Sequence, residues 1–299
     1  PEVVRLEDEN WIRAGHEFAG PTETIIIEVE ILRLRMEWLP SAPTPREFVS
    51  FSDIEDAIRI RTDDGALRFD GGITFEGMRY QVRSDIPRPD IAALAAGEDG
   101  QLSPVFREAA NAGEAVPEVG EVVWRAEPED VEKYLKLPDE LEEGVAALAR
   151  ELTRNLDTSF EKGIALESWF RSPAFRYSTD VAPGHDAGDV AAWLLNPNNS
   201  NYRLGYCENF AASMALMARA LGVPSRVVLG FTPGTQQSDG TIVVRDRNAH
   251  AWVELWMPAQ GWVRFDPTPR DDDANPATYE IFEASLGFPI TEYLDVPGL

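Results

Sequence analysis

Lysine, histidine and cysteine are scarce in this 299-residue chain. It has three lysines (Lys133, Lys136, Lys162), three histidines (His16, His185, His250) and one cysteine, Cys207. A single cysteine closes no intramolecular disulfide and cannot build a zinc ribbon or an iron–sulfur site. Positive charge is short as well: 27 basic residues stand against 52 acidic ones, a net charge of −25. A surface this negative repels phosphate backbones, which excludes nucleic acid as an expected partner. No apolar run approaches the ~20 residues of a membrane helix, and no signal-peptide pattern opens the chain. The sequence starts at Pro1 rather than Met and ends at Leu299 without an evident terminator. A piece of a longer protein is therefore expected, with any membrane attachment made through segments absent from this sequence.

The apolar content, 43%, is ordinary for a globular protein, so the acidity does not imply disorder. The length suits two domains better than one. Residues 1–95 read as β-rich, either a small sandwich or a meander. From Thr24 to Leu39 the apolar alternation slips phase once, between Ile31 and Leu32, as a bulge in one long strand would produce. Short strands are expected at 58–61, 67–69, 73–75 and 78–82, separated by the turn signals Asp64-Gly65, Gly71-Gly72 and Glu76-Gly77. This region holds no constellation of catalytic residue types, and a packing or positioning role is expected of it. Residues 96–130, rich in glycine, proline and acids, read as a linker or irregular connection.

Residues 131–299 read as a second domain of mixed α and β structure. Asp139 with Glu142, and Thr158 with Glu161, are capping-box signals ahead of two apolar-periodic helices. Cys207 opens a third helix, whose apolar positions Phe210, Met214, Met217, Ala218 and Leu221 keep helical spacing up to Gly222. At a helix N-terminus the unpaired N–H groups and the dipole favour a thiolate. The segment 226–231 reads as a buried strand. A lone cysteine in an apolar helix is most often a small buried hydrophobe, so a catalytic reading requires a base.

That base is His250. Residues 249–257 and 262–266 form two strands, and their apolar sets (Ala251, Val253, Leu255; Val263, Phe265) share a face only if paired residue numbers sum to an even value. A tight turn around Pro258 makes the sum 516 and sets His250 directly opposite Asp266, with Cα atoms ~4.5–5.5 Å apart. Thiol, imidazole and orienting carboxylate are the parts of nucleophilic acyl transfer. The Cys207 N–H is a natural oxyanion donor; Tyr202, just upstream, is the candidate for a second. Trp252 and Trp262 share the face of His250 and are candidates for a substrate groove. Glu254 shares it without an assigned role. His16 and His185 read as surface residues. Asp271-Asp272-Asp273 lacks the spacing of a calcium loop and reads as a solvated acidic tail, so no metal or cofactor is expected.

Three separated blocks carry a resemblance: Gly205-Tyr206-Cys207-Glu208-Asn209-Phe210-Ala211 with Gly222 to Phe231, then Ala249-His250-Ala251-Trp252-Val253-Glu254, then Gly261 to Thr268. In that order they resemble the core of the transglutaminase-like superfamily over roughly residues 130–270. The β-rich region, with Trp38-Leu39-Pro40 and Tyr80-Gln81-Val82-Arg83-Ser84, more weakly resembles the segment ahead of this core in membrane-anchored bacterial members. The resemblance implies an α+β, papain-like catalytic domain after a β-rich N-terminal domain, with Cys207, His250 and Asp266 as the triad. It also implies an extracytoplasmic location in a larger bacterial membrane protein, and peptide or protein substrates of the cell envelope. Asn209 stands where the family often has His or Gln, and Val253 where Pro is common. The superfamily includes acyl transferases, peptidases, amidases and inactive members, and the resemblance alone does not choose among them.

Overall fold

The computed structural model describes residues 3–5, 22–61, 65–88, 94, 131–139, 141, 143–181, 187–257 and 260–269. The expected linker, His16, His185, Glu142 and Asp271-Asp272-Asp273 lie outside them. The chain divides into two compact units, Pro1–Asp90 and Ile91–Leu299.

In the first unit, β1 (Val3–Arg5), β2 (Thr22–Glu30), β4 (Pro45–Ser50) and β7 (Arg79–Pro87) form an antiparallel sheet of order β1-β4-β7-β2. A second sheet, β3-β6-β5, is made of β3 (Trp38–Leu39), β5 (Ile58–Ile60) and β6 (Leu67–Phe69). The non-consecutive strand order is not that of a meander. Both sheets feed one core of Leu39, Phe48, Ile58, Leu67, Phe69, Tyr80 and Val82. Tyr80 stacks on Phe48 at 5.4 Å between ring centroids and spends its hydroxyl on the Pro40 carbonyl at 2.8 Å.

Two expectations for this unit are corrected. The long strand from Thr24 to Leu39 is instead two strands in different sheets, and the phase slip marks the departure from the first sheet rather than a bulge. Ile31 closes that sheet by donating its N–H to Met78 O at 2.9 Å, and Leu32 is exposed. The segment 73–75 is no strand. Ile73 and Phe75 are exposed, while the buried Thr74 hydroxyl donates to Leu34 O at 2.6 Å and accepts from the Met36 N–H at 3.1 Å. The alternation there is inverted, with the polar residue inside, because its hydroxyl serves the loop's backbone groups.

The second unit holds α1 (Glu143–Leu152), α2 (Ser159–Phe170), α3 (Ala187–Leu195) and α4 (Cys207–Ala220). Thr158 and Glu161 form the expected capping box on α2. The box read at Asp139 and Glu142 involves a residue outside the described set, and α1 starts at Glu143. α4 ends before Gly222, whose φ of 78° lies in the left-handed region, and Val223 N–H returns to Ala218 O at 2.9 Å. Two short strands, β8 (Arg176–Tyr177) and β9 (Leu204–Gly205), pair in parallel just before α4.

The main sheet of this unit has the order β10-β13-β14, from Ser225–Phe231, Ala249–Met257 and Gly261–Phe265. A small hairpin, β11 (Thr235–Gln236) with β12 (Ile242–Val243), lies between β10 and β13 in sequence. On one face of the main sheet Val253, Leu255, Val263 and Phe265 join Phe160, Ile164, Phe210, Met214 and Met217 in the core. Helix and sheet approach closely: a Cβ on Gly163 of α2 would stand 2.6 Å from Phe265 Cζ and 2.9 Å from Leu255 Cδ1. The expectation of a buried strand at 226–231 is corrected. β10 is an edge strand, with Leu229 71% and Val227 40% exposed.

Candidate active site

Cys207 is the first residue of α4, 8% exposed, and packs against Ala211 of its own helix and Ala251 of β13. The helix start is secured by Asn209, whose Oδ1 accepts from the Tyr206 N–H at 3.0 Å. The departure noted at this position is thus a capping residue. Gly205 is required for it, since a Cβ there would lie 2.8 Å from Asn209 Oδ1. One step upstream, Arg203 is buried with φ 53°. Its guanidinium lies 5.2, 5.3 and 4.9 Å from the rings of Trp169, Phe175 and Tyr202. These contacts anchor the chain that leads into Cys207.

His250 stands second in β13, next to Ala251, which lines the thiol. Its Nε2 meets Asp266 Oδ2 at 2.7 Å, with both side chains 1% exposed. Nδ1 is buried and makes no hydrogen bond of ordinary geometry, and Cys207 is close enough to act on the ring. Burial opposes a charge on the ring. The hydrogen bond donated to Asp266 and the interaction with Cys207 outweigh it and raise the imidazole to about 9.

His250 and Asp266 meet, but not in the expected register. Val253 pairs with Phe265 and Met257 with Gly261, a sum of 518, so Asp266 is diagonal to His250 and one residue beyond the end of β14. Three residues separate the strands instead of a tight turn around Pro258. Gly261 closes the connection with φ 80°, and Gln260 N–H returns to Met257 O at 2.9 Å. The even sum, and with it each residue's face, is unchanged.

Asp266 also draws partners from α2, an element that sequence reasoning did not connect to it. Its Oδ1 accepts from the Thr268 N–H at 3.3 Å, and its Oδ2 also accepts from Arg264 Nη2 at 3.2 Å. Its own N–H donates to Glu167 Oε1 at 2.6 Å, and its carbonyl accepts from Arg171 Nη1 at 3.1 Å. Glu167 left a trace in the sequence, as an acid inside the apolar run Ile164 to Phe170. Which group it served was invisible there.

Among the other candidates, Trp252 lies beside the histidine. Its ring stacks on His250 at 6.3 Å, and Arg264 covers it at 4.6 Å. A Cβ on Gly230 of the neighbouring strand would stand 2.5 Å from Trp252 Cη2. Trp262 packs at the other end of β13, against Tyr134 at 4.8 Å and Trp256 at 5.3 Å. Trp256 is six residues from His250, or ~20 Å along a strand. Glu254, without a role in the sequence, pairs with Arg226 at 2.6 Å. Tyr202 spends its backbone N–H on Asn199 O at 3.0 Å. Among the described residues no group of three His, Cys, Asp or Glu side chains is placed to hold a metal ion, and no helix is long and apolar enough to cross a membrane.

Comparison with known proteins matches residues 146–267 to the family model described as the transglutaminase-like superfamily. An uncharacterised Bacillus subtilis protein, YebA, is 32% identical over 227 residues, which cover 68% of this chain and 30% of that protein. A protein-glutamine gamma-glutamyltransferase of Pseudomonas aeruginosa is 36% identical over 137 residues, 46% of this chain and 20% of that protein. The chain thus spans less than a third of the length of either relative. The crystal structure of the periplasmic domain of TgpA from Pseudomonas aeruginosa aligns over 98% of this chain and 80% of its own, with a TM-score of 0.53 and 22% identity. That likeness shows the fold.

Proposed function

Because residues 146–267 form a core domain of the transglutaminase-like superfamily, we propose that the protein is a thiol acyltransferase acting on amide bonds. The observation that carries this reading is the buried 2.7 Å His250–Asp266 pair, whose ring also interacts with Cys207 at the start of α4.

In the proposed reaction the Cys207 sulfur, as thiolate against the His250 imidazolium, attacks the carbonyl carbon of a glutamine-type amide. The C–N bond breaks, the imidazolium gives its proton to the leaving amine, and a thioester remains. An acceptor amine then adds to the thioester carbon, loses its proton to His250, and releases the thiolate with a new amide bond. Asp266 holds the imidazole in the orientation that presents Nδ1 to sulfur. The Cys207 N–H, at the first position of α4, is the proposed oxyanion donor. Water as acceptor would turn the same chemistry into that of an amidase or peptidase.

The name of the Pseudomonas aeruginosa relative supports the transferase version. The periplasmic origin of the TgpA domain supports a proposed place on the extracytoplasmic side of a bacterial membrane, as part of a larger membrane protein, with envelope peptides or proteins as substrates. The test is incubation with a glutamine peptide and a labelled primary amine. Incorporation that disappears in Cys207→Ala is expected. Peptide cleavage without incorporation would replace transfer by hydrolysis. Loss of both, with Cys207 alkylated no faster than free cysteine, would leave an inactive scaffold.

A further inference from the structure

Glu167 is a buried carboxylate that the proposed reaction does not use. It is 3% exposed, and it lies on α2, an element that supplies no member of the triad. Its Oε1 accepts the N–H of Asp266 at 2.6 Å. One turn further along α2, Arg171 follows the helix end and donates from Nη1 to Asp266 O at 3.1 Å and to Thr268 O at 3.4 Å. The two side chains therefore grip the peptide units on both sides of the triad carboxylate.

The grip has a reason in the topology. β14 ends at Phe265, so Asp266 lies one residue beyond the end of the ladder. In the observed register it is also diagonal to His250, where neighbouring Cα atoms stand ~7–8 Å apart. A 2.7 Å side-chain bond across a diagonal depends on where the Asp266 backbone is set, and Glu167 and Arg171 bond that backbone at its N–H and its carbonyl. Sequence separations of 99 and 95 residues show that α2 does this from a distant part of the chain.

We propose that Glu167 is a positioning residue for the His250–Asp266 pair, fixing with Arg171 the backbone of Asp266 so that its carboxylate meets the imidazole. The proposal rests on the acyl-transfer reading for what the pair does, but not for whether the pair is held. Other charged or titratable groups facing the pair are Cys207 from α4, with Glu208 next to it, and Arg264 from β14. Further along the same face of the sheet, Glu254 and Arg226 neutralise each other.

The test is the titration of His250 by NMR in the full chain. Only three histidines are present, and His250→Gln identifies the signal. The wild-type midpoint is expected near 9. Glu167→Ala should lower it by ~1 unit or more, because the carboxylate no longer meets the ring squarely. Glu167→Gln keeps an oxygen acceptor and should restore the midpoint to within a few tenths. A folded Glu167→Ala protein with an unmoved midpoint overturns the proposal, since a purely structural role would lower the melting temperature alone. Should that variant fail to fold, Arg171→Ala decides. It should lower the midpoint by a smaller step, and an unmoved value again overturns the proposal. With a glutamine peptide, Glu167→Ala should lower kcat at nearly constant KM. If wild type shows no turnover while the midpoint still falls in Glu167→Ala, the reaction assignment fails and the positioning role stands.

Discussion

Among the described residues the two units differ in the charge they bury: the first encloses no charged side chain, the second several. In the first, ion pairs such as Arg68–Glu37 and Arg59–Asp70 are about half exposed, at 3.1 and 3.6 Å. Pairs of this kind contribute little, ~0–1 kcal/mol, because water screens them. In the second unit His250, Asp266 and Glu167 are buried and joined through Asp266 by hydrogen bonds of 2.7 and 2.6 Å. Buried charge is costly unless its geometry is complete. The contrast teaches where to look for chemistry: at the polar groups the core encloses, not at the many acids it leaves outside.

The largest expected effect separates the units directly. Cys207→Ala should reduce amine incorporation by a factor of ~10⁴ or more with an unchanged melting transition. Phe48→Ala in the first core should cost ~3–5 kcal/mol of stability. It should leave the rate of Cys207 alkylation, measured by mass spectrometry under folding conditions, unaltered. A fall in that rate breaks the division of labour between the units.

The pH dependence of stability sharpens the same contrast. The folded value of His250, about 9, lies above its ordinary 6.5. Its contribution is therefore complete below pH 6.5 and is lost as pH rises through about 9. By linkage the loss is on the order of 3 kcal/mol. Urea titrations of wild type and His250→Gln at pH 6 and pH 10 measure it, as a difference that shrinks with rising pH. A constant difference would mean that the imidazole is not held charged.

Gly163→Ala should destabilise the second unit by ~1–3 kcal/mol, because the added methyl forces Phe265 and Leu255 away from α2. Thermal unfolding checks this. It should also slow acyl transfer, since Phe265 precedes Asp266. The smallest effect is expected at Arg264, which shares Asp266 Oδ2 with the histidine but has a 47% exposed side chain. Removing its charge in Arg264→Gln should raise the His250 midpoint by only a few tenths of a unit, given solvent screening. A fall would show that Arg264 orients Asp266 rather than competing for it.

Much of the site was legible in the sequence because its signals are local. The helix start at Cys207, the glycine at its end, and the parity that places His250 and Asp266 on one strand face all follow from spacings of a few residues. The register was not legible. Whether the pairing sum is 516 or 518 depends on Gly261 adopting φ 80°, which no apolar pattern reports. In the β-rich unit the turns around 65 and 77 had clear signals. The break after Ile31 looked like a bulge because a strand leaving one sheet and a strand bulging within it shift the alternation equally.

By itself the sequence determined the residue types that can do thiol chemistry, the element each occupies and the face each presents, because backbone geometry alone sets those periods. Only the tertiary structure decided that His250 meets Asp266 on a diagonal, that Trp252 and not Trp262 lies beside the histidine, and that α2 holds the carboxylate's backbone. These two hydrogen bonds of Asp266 join residues 16 and 99 positions apart. No local rule carries that information; the packing of α2 and α4 on one sheet supplies it.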